Sequence, residues 1–238
     1  MQLSRRLQTV ARLVPYCRCL ADIGTDHAYV PIWCVIHGIC QTALACDVRP
    51  GPLQIAKKRI GVYQLGDHIS TRLSDGLEAL LPGEADTIVI AGMGGLLIAD
   101  ILQRGRAVIQ PDTHLILQPM TAIEELRHFL YQNGFRVLDE HVVQEENKFY
   151  NLLEVCLGAD TASESEIIVG RNLGKEADFL NYMAFCITKT EKIICGMKRS
   201  ERRQDDLEKH RRRLALYREA VGKECAANDN LQGNRGIY

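Results

Sequence analysis

The 238-residue sequence predicts a doubly wound α/β domain on a seven-stranded, mostly parallel sheet, followed by a helical arm. Three observations carry that expectation. From residue 17 to residue 134, short continuous apolar runs alternate with single helical patterns, as strands buried on both faces require. Two strand-like runs, 135–146 and 149–158, then follow with only a short turn between them, an antiparallel pair that closes the sheet. Past a small polar stretch, ADTASES at 159–165, the pattern turns helical and charge-dense.

The elements follow in order. Ser4 caps a short amphipathic helix whose apolar face is Leu3, Leu7, Val10, Ala11 and Val14, and Pro15 ends it. CRCLADIG (17–24) reads as the first strand and AYVPIWCVIHG (28–38) as a helix closed by Gly38. QTALACDV (41–48) is the second strand, 51–63 a helix and HISTRL (68–73) the third strand. DTIVIAG (86–92) is the fourth, with a helix from Gly95 to about Gln103. THLILQP (113–119) is the fifth, and TAIEELRHFLYQNG (121–134) a helix with Gly134 at its end.

Beyond the boundary, Phe179, Met183, Cys186, Thr190, Ile193, Met197, Leu207, Leu214, Tyr217 and Val221 approximate one helical stripe. It breaks in KRSERRQDD (198–206), which reads as the turn between two antiparallel helices. The expected organisation is a ligand-binding α/β domain at 1–160, a helical arm at 161–225 and a flexible tail at 226–238.

Composition is that of an ordinary soluble globular protein, 46% hydrophobic and 25% charged. No apolar run approaches the ~20 residues that span a bilayer, and the amino terminus lacks a secretory pattern, so a cytoplasmic location is expected. Nine cysteines without a CxxC pair read as small buried thiols in a reducing compartment, and no metal site is expected. Charge is uneven: residues 1–162 are net negative and residues 163–238 net positive. An acidic body with a basic arm points to an anionic partner.

In an open α/β sheet, ligands bind outside the carboxyl ends of the strands at the point where strand order reverses. The informative residues are those that end each strand: Asp22-Ile23-Gly24-Thr25-Asp26-His27-Ala28, Cys46-Asp47-Val48, Ser74-Asp75-Gly76, Ala91-Gly92-Met93-Gly94-Gly95 and Gln118-Pro119-Met120. Singly, Asp47 and Asp75-Gly76 read equally well as turn residues. Together they put three acidic positions and two glycine loops at one edge. The dinucleotide pattern GxGxxG is absent, since Asp26 stands where its second glycine would be. A carboxylate there repels a pyrophosphate and attracts a cation. S-adenosylmethionine, which carries an ammonium and a sulfonium and no phosphate, fits this edge, and a dehydrogenase does not.

With these loops assembled, the sequence resembles the class I S-adenosylmethionine-dependent methyltransferases, and within them the bacterial tRNA (adenine-22-N1)-methyltransferase family. The resemblance spans roughly residues 3 to 158, in LSRRLQTVARLVP, ADIGTDHAYVP, GPLQIAKKRI, SDGLEALLPGEADTIVIAGMGG, LILQP and EENKFYNLLEV. It implies a Rossmann-like methyltransferase fold. It also implies that Asp22, Gly24 and Thr25 form the cofactor loop, with Asp26 and His27 beside them. Asp47, with Val48, is implied to hold the ribose hydroxyls, and Asp75 with Gly76 the adenine amino group. Ala91, Gly92, Met93, Gly94 and Gly95 would form the wall between cofactor and target base. Gln118, Pro119 and Met120 occupy the family's substrate motif, which usually ends in Asn. Met120 departs from it, which leaves Gln118, a candidate catalytic residue, and backbone carbonyls as the candidate contacts.

The resemblance also implies a coiled-coil-like arm on tRNA. Lys198, Arg199, Arg202, Arg203, Lys209, Arg211, Arg212 and Arg213 are its candidate phosphate contacts. A solvated charged helix is the alternative. Adenine N1 has an in-plane lone pair and no proton, so alignment matters more than a strong base. Asp26 is the candidate catalytic residue, either stabilising the developing positive charge or orienting the methionine ammonium, and the sequence leaves both open. Tyr29 is a candidate to stack on the base, and His27 to line its pocket. The rival readings are a same-fold methyltransferase acting on DNA, another RNA base or a small molecule, and a non-catalytic RNA-binding protein.

Overall fold

The protein is seen in a computed structural model that describes residues 1–197 and 204–233. It divides into two compact units, Met1–Thr161 and Ala162–Tyr238. The first contains α1 (Arg5–Leu13), β1 (Cys17–Ile23), α2 (Tyr29–Ile36), β2 (Cys40–Asp47), α3 (Pro50–Val62), β3 (Ile69–Leu73), β4 (Thr87–Gly94), α4 (Gly95–Arg104), β5 (His114–Thr121), α5 (Ile123–Gln132), β6 (Phe135–Glu145) and β7 (Lys148–Leu157).

One seven-stranded sheet has the order β3-β2-β1-β4-β5-β7-β6. Strands β1 to β5 pair in parallel, whereas β7 runs antiparallel to both β5 and β6. The chain winds outward from β1 to β3, then restarts at β4 on the other side of β1. The reversal lies between β1 and β4, where a parallel sheet leaves a crevice at its carboxyl edge.

The continuous apolar runs are explained by burial on both faces. On one face Ala21, Ile23, Ile88, Ile90, Leu115 and Leu117 pack with Ile98, Leu102, Leu126 and Leu130 of α4 and α5. On the other, Leu20, Ala43, Ala45, Val89 and Ile116 meet Val10, Ala11, Ile32, Ala56 and Ile60 of α1, α2 and α3. The nine cysteines are free thiols, and burial pushes that of Cys46 up to about 12, so it stays protonated and inert.

Polar contacts fix the sheet's outer strands. The Glu154 carboxylate on β7 meets His114 Nε2 of β5 at 3.1 Å and His141 Nε2 of β6 at 2.7 Å. The His114 and His141 bonds hold Glu154 down at about 2. Asp139 adds a carboxylate here, its donor atom and those of His141 and Glu154 lying within 4.8 Å of one another. Both oxygens of Glu154 already accept from an imidazole, which makes the cluster a staple across three strands. Between α5 and β6, Arg127 and Glu140 form a fully buried ion pair at 2.7 Å.

The second unit contains α6 (Glu164–Ile168), a 3-10 turn (Leu173–Lys175), α7 (Phe179–Met197) and α8 (Gln204–Gly233). Ser163 and Glu166 form a reciprocal capping box at the start of α6. The left-handed backbone at Asn172 and positive φ at Gly170 turn the chain before α7, so the arm is more than the simple helix pair expected. Phe179, Tyr182, Met183, Cys186, Thr190 and Ile194 form the buried stripe of α7, and Leu216 and Tyr217 are buried on α8. The tail expected from residue 226 is helical through Gly233. Propagating an existing helix adds one hydrogen bond per residue, and no proline interrupts 226–233.

Breaking a buried ion pair strands one charge. Arg127→Met is expected to destabilise the protein by about 3–5 kcal/mol in urea unfolding, and adding Glu140→Leu should recover most of that loss.

Candidate active site

The loop after β1 builds the floor of the site. Asp22 is buried, and its Oδ2 accepts a 2.6 Å hydrogen bond from the Thr25 hydroxyl, itself fully buried. The Thr25 N–H donates to Cys46 O of β2 at 2.8 Å, locking the loop against its neighbour. Burial pushes the Asp22 carboxyl up to about 6, against the Thr25 bond, and the charges of Asp26 and Asp47 push the same way.

Gly24 has φ +73, and a Cβ there would run into the Met93 side chain. His27 and Ala28 follow with φ of 61 and 55, two consecutive left-handed residues without glycine's freedom. Such conformations cost about 1–3 kcal/mol each and concentrate at functional sites. Here they turn the Asp26 side chain outward, 82% exposed, with Oδ1 3.0 Å from His27 Nε2. His27 Nδ1 is buried without a hydrogen-bond partner. No side chain caps α2, so the helix begins at Tyr29 with N–H groups directed at this loop.

The other strand ends converge on the same edge. Asp47 is buried, and its Oδ1 accepts from Arg49 N at 2.8 Å, while Val48 is exposed. Asp75 is more exposed and bonds Arg104 Nη2 at 3.1 Å; that guanidinium also holds Asp100 and Glu78. Gly76 takes φ +58, giving the turn expected of Asp75-Gly76. Strand β4 bulges between Ala91 and Met93, with Gly92 at φ +80, a common way to re-aim backbone beside a site. Gly95 lies so close to the carbonyl of Ala122 that no side chain fits there.

The β1 and β4 loops line a pocket of about 190 Å³ with Asp22, Gly24, Asp26, Tyr29, Ala91 and Gly92, whereas Asp47, Val48, Asp75 and Gly76 stand outside its lining. Arg6, Leu7 and Val30 complete it. Arg6 lies in the stretch LSRRLQTVARLVP, but the sequence assigns it no role in the site. Its Nη1 donates to Gln118 Oε1 at 2.8 Å and lies 3.8 Å from where a Cβ on Gly92 would stand. Glu145, at the end of β6, accepts from Arg6 N at 2.7 Å and anchors the start of α1. That N–H bond holds the Glu145 carboxyl below the usual carboxylate range.

Gln118 is fully buried and does not line the pocket. Its Nε2 donates to Pro119 O at 2.9 Å and meets Met120 Sδ at 3.6 Å. Because a guanidinium only donates, Arg6 fixes which way the amide points. Pro119 is buried beside it, and Met120 is 47% exposed.

The sequence matches the methyltransferase domain family over residues 3–153. It is 36% identical over 232 residues to the tRNA (adenine(22)-N(1))-methyltransferase of Bacillus subtilis, covering 93% of this chain and 98% of that one. The chain belongs to this family. Among solved structures, Streptococcus pneumoniae Sp1610 in complex with S-adenosyl-L-methionine superposes with a TM-score of 0.83 at 32% identity, covering 92% of this chain and 100% of that one. TrmK of M. capricolum, solved with S-adenosyl-homocysteine, gives 0.80 at 28%, covering 93% and 99%. The family's seven-stranded, Rossmann-like fold is the one found here.

In the second unit, the candidate tRNA contacts Lys198, Arg199, Arg202 and Arg203 lie outside the described residues. Arg211 is exposed and reaches Glu208 at 3.3 Å. Arg212 is paired with Glu164 at 2.8 Å, which offsets its charge locally.

Arg6→Ala would leave the buried Gln118 carbonyl without its donor. Thermal or urea unfolding should show a loss of about 1–3 kcal/mol, and Arg6→Lys should recover part of it.

Proposed function

We propose that the protein transfers the methyl group of S-adenosylmethionine to N1 of an adenine, at position 22, of tRNA. The observation that carries this reading is the small pocket in which the carboxylates of Asp22 and Asp26 face the glycines of two strand-end loops. Its chemistry suits a positively charged ligand, and family membership supplies the substrate class.

The residues present fit the cofactor. Gly24 leaves a cradle that any side chain would fill, and Asp22, with the uncapped start of α2, offers groups for an amino acid's ammonium and carboxylate. Asp47 ends β2 where ribose hydroxyls can donate to it, with Val48 beside it. Asp75, held by Arg104, is assigned the adenine amino group. Ala91, Gly92, Met93 and Gly94 wall the cofactor from the target base. When bound, S-adenosylmethionine supplies an electrophilic methyl group.

The chain's task is then to present N1 in line and to stabilise the charge that develops on the ring. N1 lies on the Watson–Crick edge, so the adenine must be unpaired or flipped to enter. Asp26, exposed at the pocket mouth, accepts from the exocyclic amine and faces the growing positive charge. Tyr29 packs beside the entering base. Gln118 orders the loop that carries Pro119 and Met120, and Arg6 holds Gln118 in turn. The basic residues of the arm, among them Arg211 and Arg212, are assigned to phosphates of the tRNA body.

Two outcomes test these roles. Asp26→Asn is expected to lower methyl transfer to tRNA by about a hundredfold or more while cofactor affinity in calorimetry stays within a few-fold. Retained turnover would remove Asp26 from catalysis.

The second concerns pH. Asp22 must be ionised to hold a cation, and its carboxyl in the free protein loses its proton near pH 6. Cofactor affinity should therefore be flat above about pH 7 and fall by up to tenfold per unit below pH 6. In Asp22→Asn that dependence should vanish, along with much of the affinity at neutral pH.

A further inference from the structure

A second depression adjoins the active pocket and plays no part in the roles assigned so far. It measures about 460 Å³ and lies between the amino-terminal Met1-Gln2 and α3. Tyr29 lines both this groove and the active pocket, so the two share a wall. The rest of its lining comes from Ile55, Lys58, Arg59, Val62 and Tyr63.

Helix α3 has an unusual division of faces. Only Ala56 and Ile60 are buried. The groove face carries Ile55, Lys58, Arg59 and Val62, spaced by three or four residues and therefore aligned. Ile55 is 45% exposed, Val62 79% and Tyr63 37%. Such apolar exposure beside lysine and arginine is poorly explained by packing within this chain.

The charge of the groove is one-sided. No acidic residue lines it, and neither Lys58 nor Arg59 has a carboxylate partner among the described residues. The Arg59 guanidinium carbon sits 3.9 Å from the centroid of the Tyr29 ring, and its Nη1 is shielded from solvent without a hydrogen-bond acceptor. An uncompensated guanidinium held over an aromatic ring is a preformed site for an anion.

Taking a base out of its stack costs unstacking energy, and contacts to the flanking nucleotide help offset it. We propose that this groove seats the nucleotide adjoining the target adenosine, its phosphate on Arg59 and Lys58 and its unstacked base against Tyr63 and Val62. Single-stranded nucleic acid is recognised by this combination of cation and apolar or aromatic platform. The inference rests on the tRNA methyltransferase reading and adds a subsite to it. Arg59 acts on the flanking backbone, and through its stack on Tyr29 the filled groove borders the pocket that holds the reacting ring.

The test uses the full-length protein with tRNA, wild type beside three variants. Lys58→Gln/Arg59→Gln should lower kcat/KM for tRNA about tenfold or more. It should also flatten the slope of log affinity against log salt by about 0.7 for each phosphate no longer neutralised. Arg59→Lys should restore the salt slope but only part of the rate. Val62→Glu, at a surface position where the fold tolerates charge, should weaken tRNA binding while its melting temperature and its S-adenosylmethionine affinity match wild type. If the double variant and Val62→Glu both bind and methylate tRNA as wild type does, the subsite is overturned and the tRNA methyltransferase reading stands. A wild-type protein that methylates no tRNA would overturn that reading itself.

Discussion

The carboxylate of Asp22 is the constraint around which this site is organised. It lies at the end of the central strand β1, at the reversal of strand order, buried and bonded to the Thr25 hydroxyl. Burying a carboxylate is costly unless something compensates it. Within the chain the compensation is incomplete: one hydroxyl donates to it, and two further carboxylates, Asp26 and Asp47, raise its proton affinity. A cationic ligand removes that deficit. In the proposed function, the residue that strains the free protein electrostatically is also the one assigned to favour a positively charged cofactor over a phosphate-bearing one.

The rest of the site depends on keeping that carboxylate where it is. Thr25 must reach back to it, so the loop turns sharply, and the turn forces His27 and Ala28 into left-handed backbone. The turn ends at an uncapped helix start and throws Asp26 outward. Opposite, α1 closes the pocket because two remote contacts hold it, Glu145 on its first turn and Gln118 on its Arg6 side chain. Loop and helix belong to different parts of the sequence, and the pocket exists only where they meet.

This division explains what could be read in advance. Strands buried on both faces leave continuous apolar runs, and helices between them leave a periodic pattern, so the order of β1 to β5 and the β6–β7 pair were legible. The acidic strand ends were legible for the same reason, since topology alone brings Asp22, Asp47 and Asp75 to one edge. Arg6 was not. Periodicity shows that α1 has an apolar face but not where that face docks, and a cation beside Leu7 looks like any surface arginine. Gln118 was visible as a strand end, yet its burial and its bond to Arg6 come from long-range packing. In the second unit, the stripe of α7 was legible because burial repeats with the helix, while the turn at Gly170 and Asn172 and the extension of α8 to Gly233 leave no periodic mark.

Charge is sorted over very short distances in the first unit. Asp22 and Asp26 line a pocket suited to a cation, and just across Tyr29, Lys58 and Arg59 line a groove suited to an anion. The net negative charge of this unit would by itself repel RNA. Attraction must come from local cations, and further cations in the pocket would weaken its hold on a sulfonium; the one that lines it, Arg6, has its Nη1 bound to Gln118 Oε1. Tyr29 resolves the conflict by standing between the two, presenting its ring to Arg59 and keeping the guanidinium on the groove side. A site that brings a cationic cofactor up against a polyanionic substrate needs such a partition, and an uncharged aromatic wall provides it without adding a charge to either side.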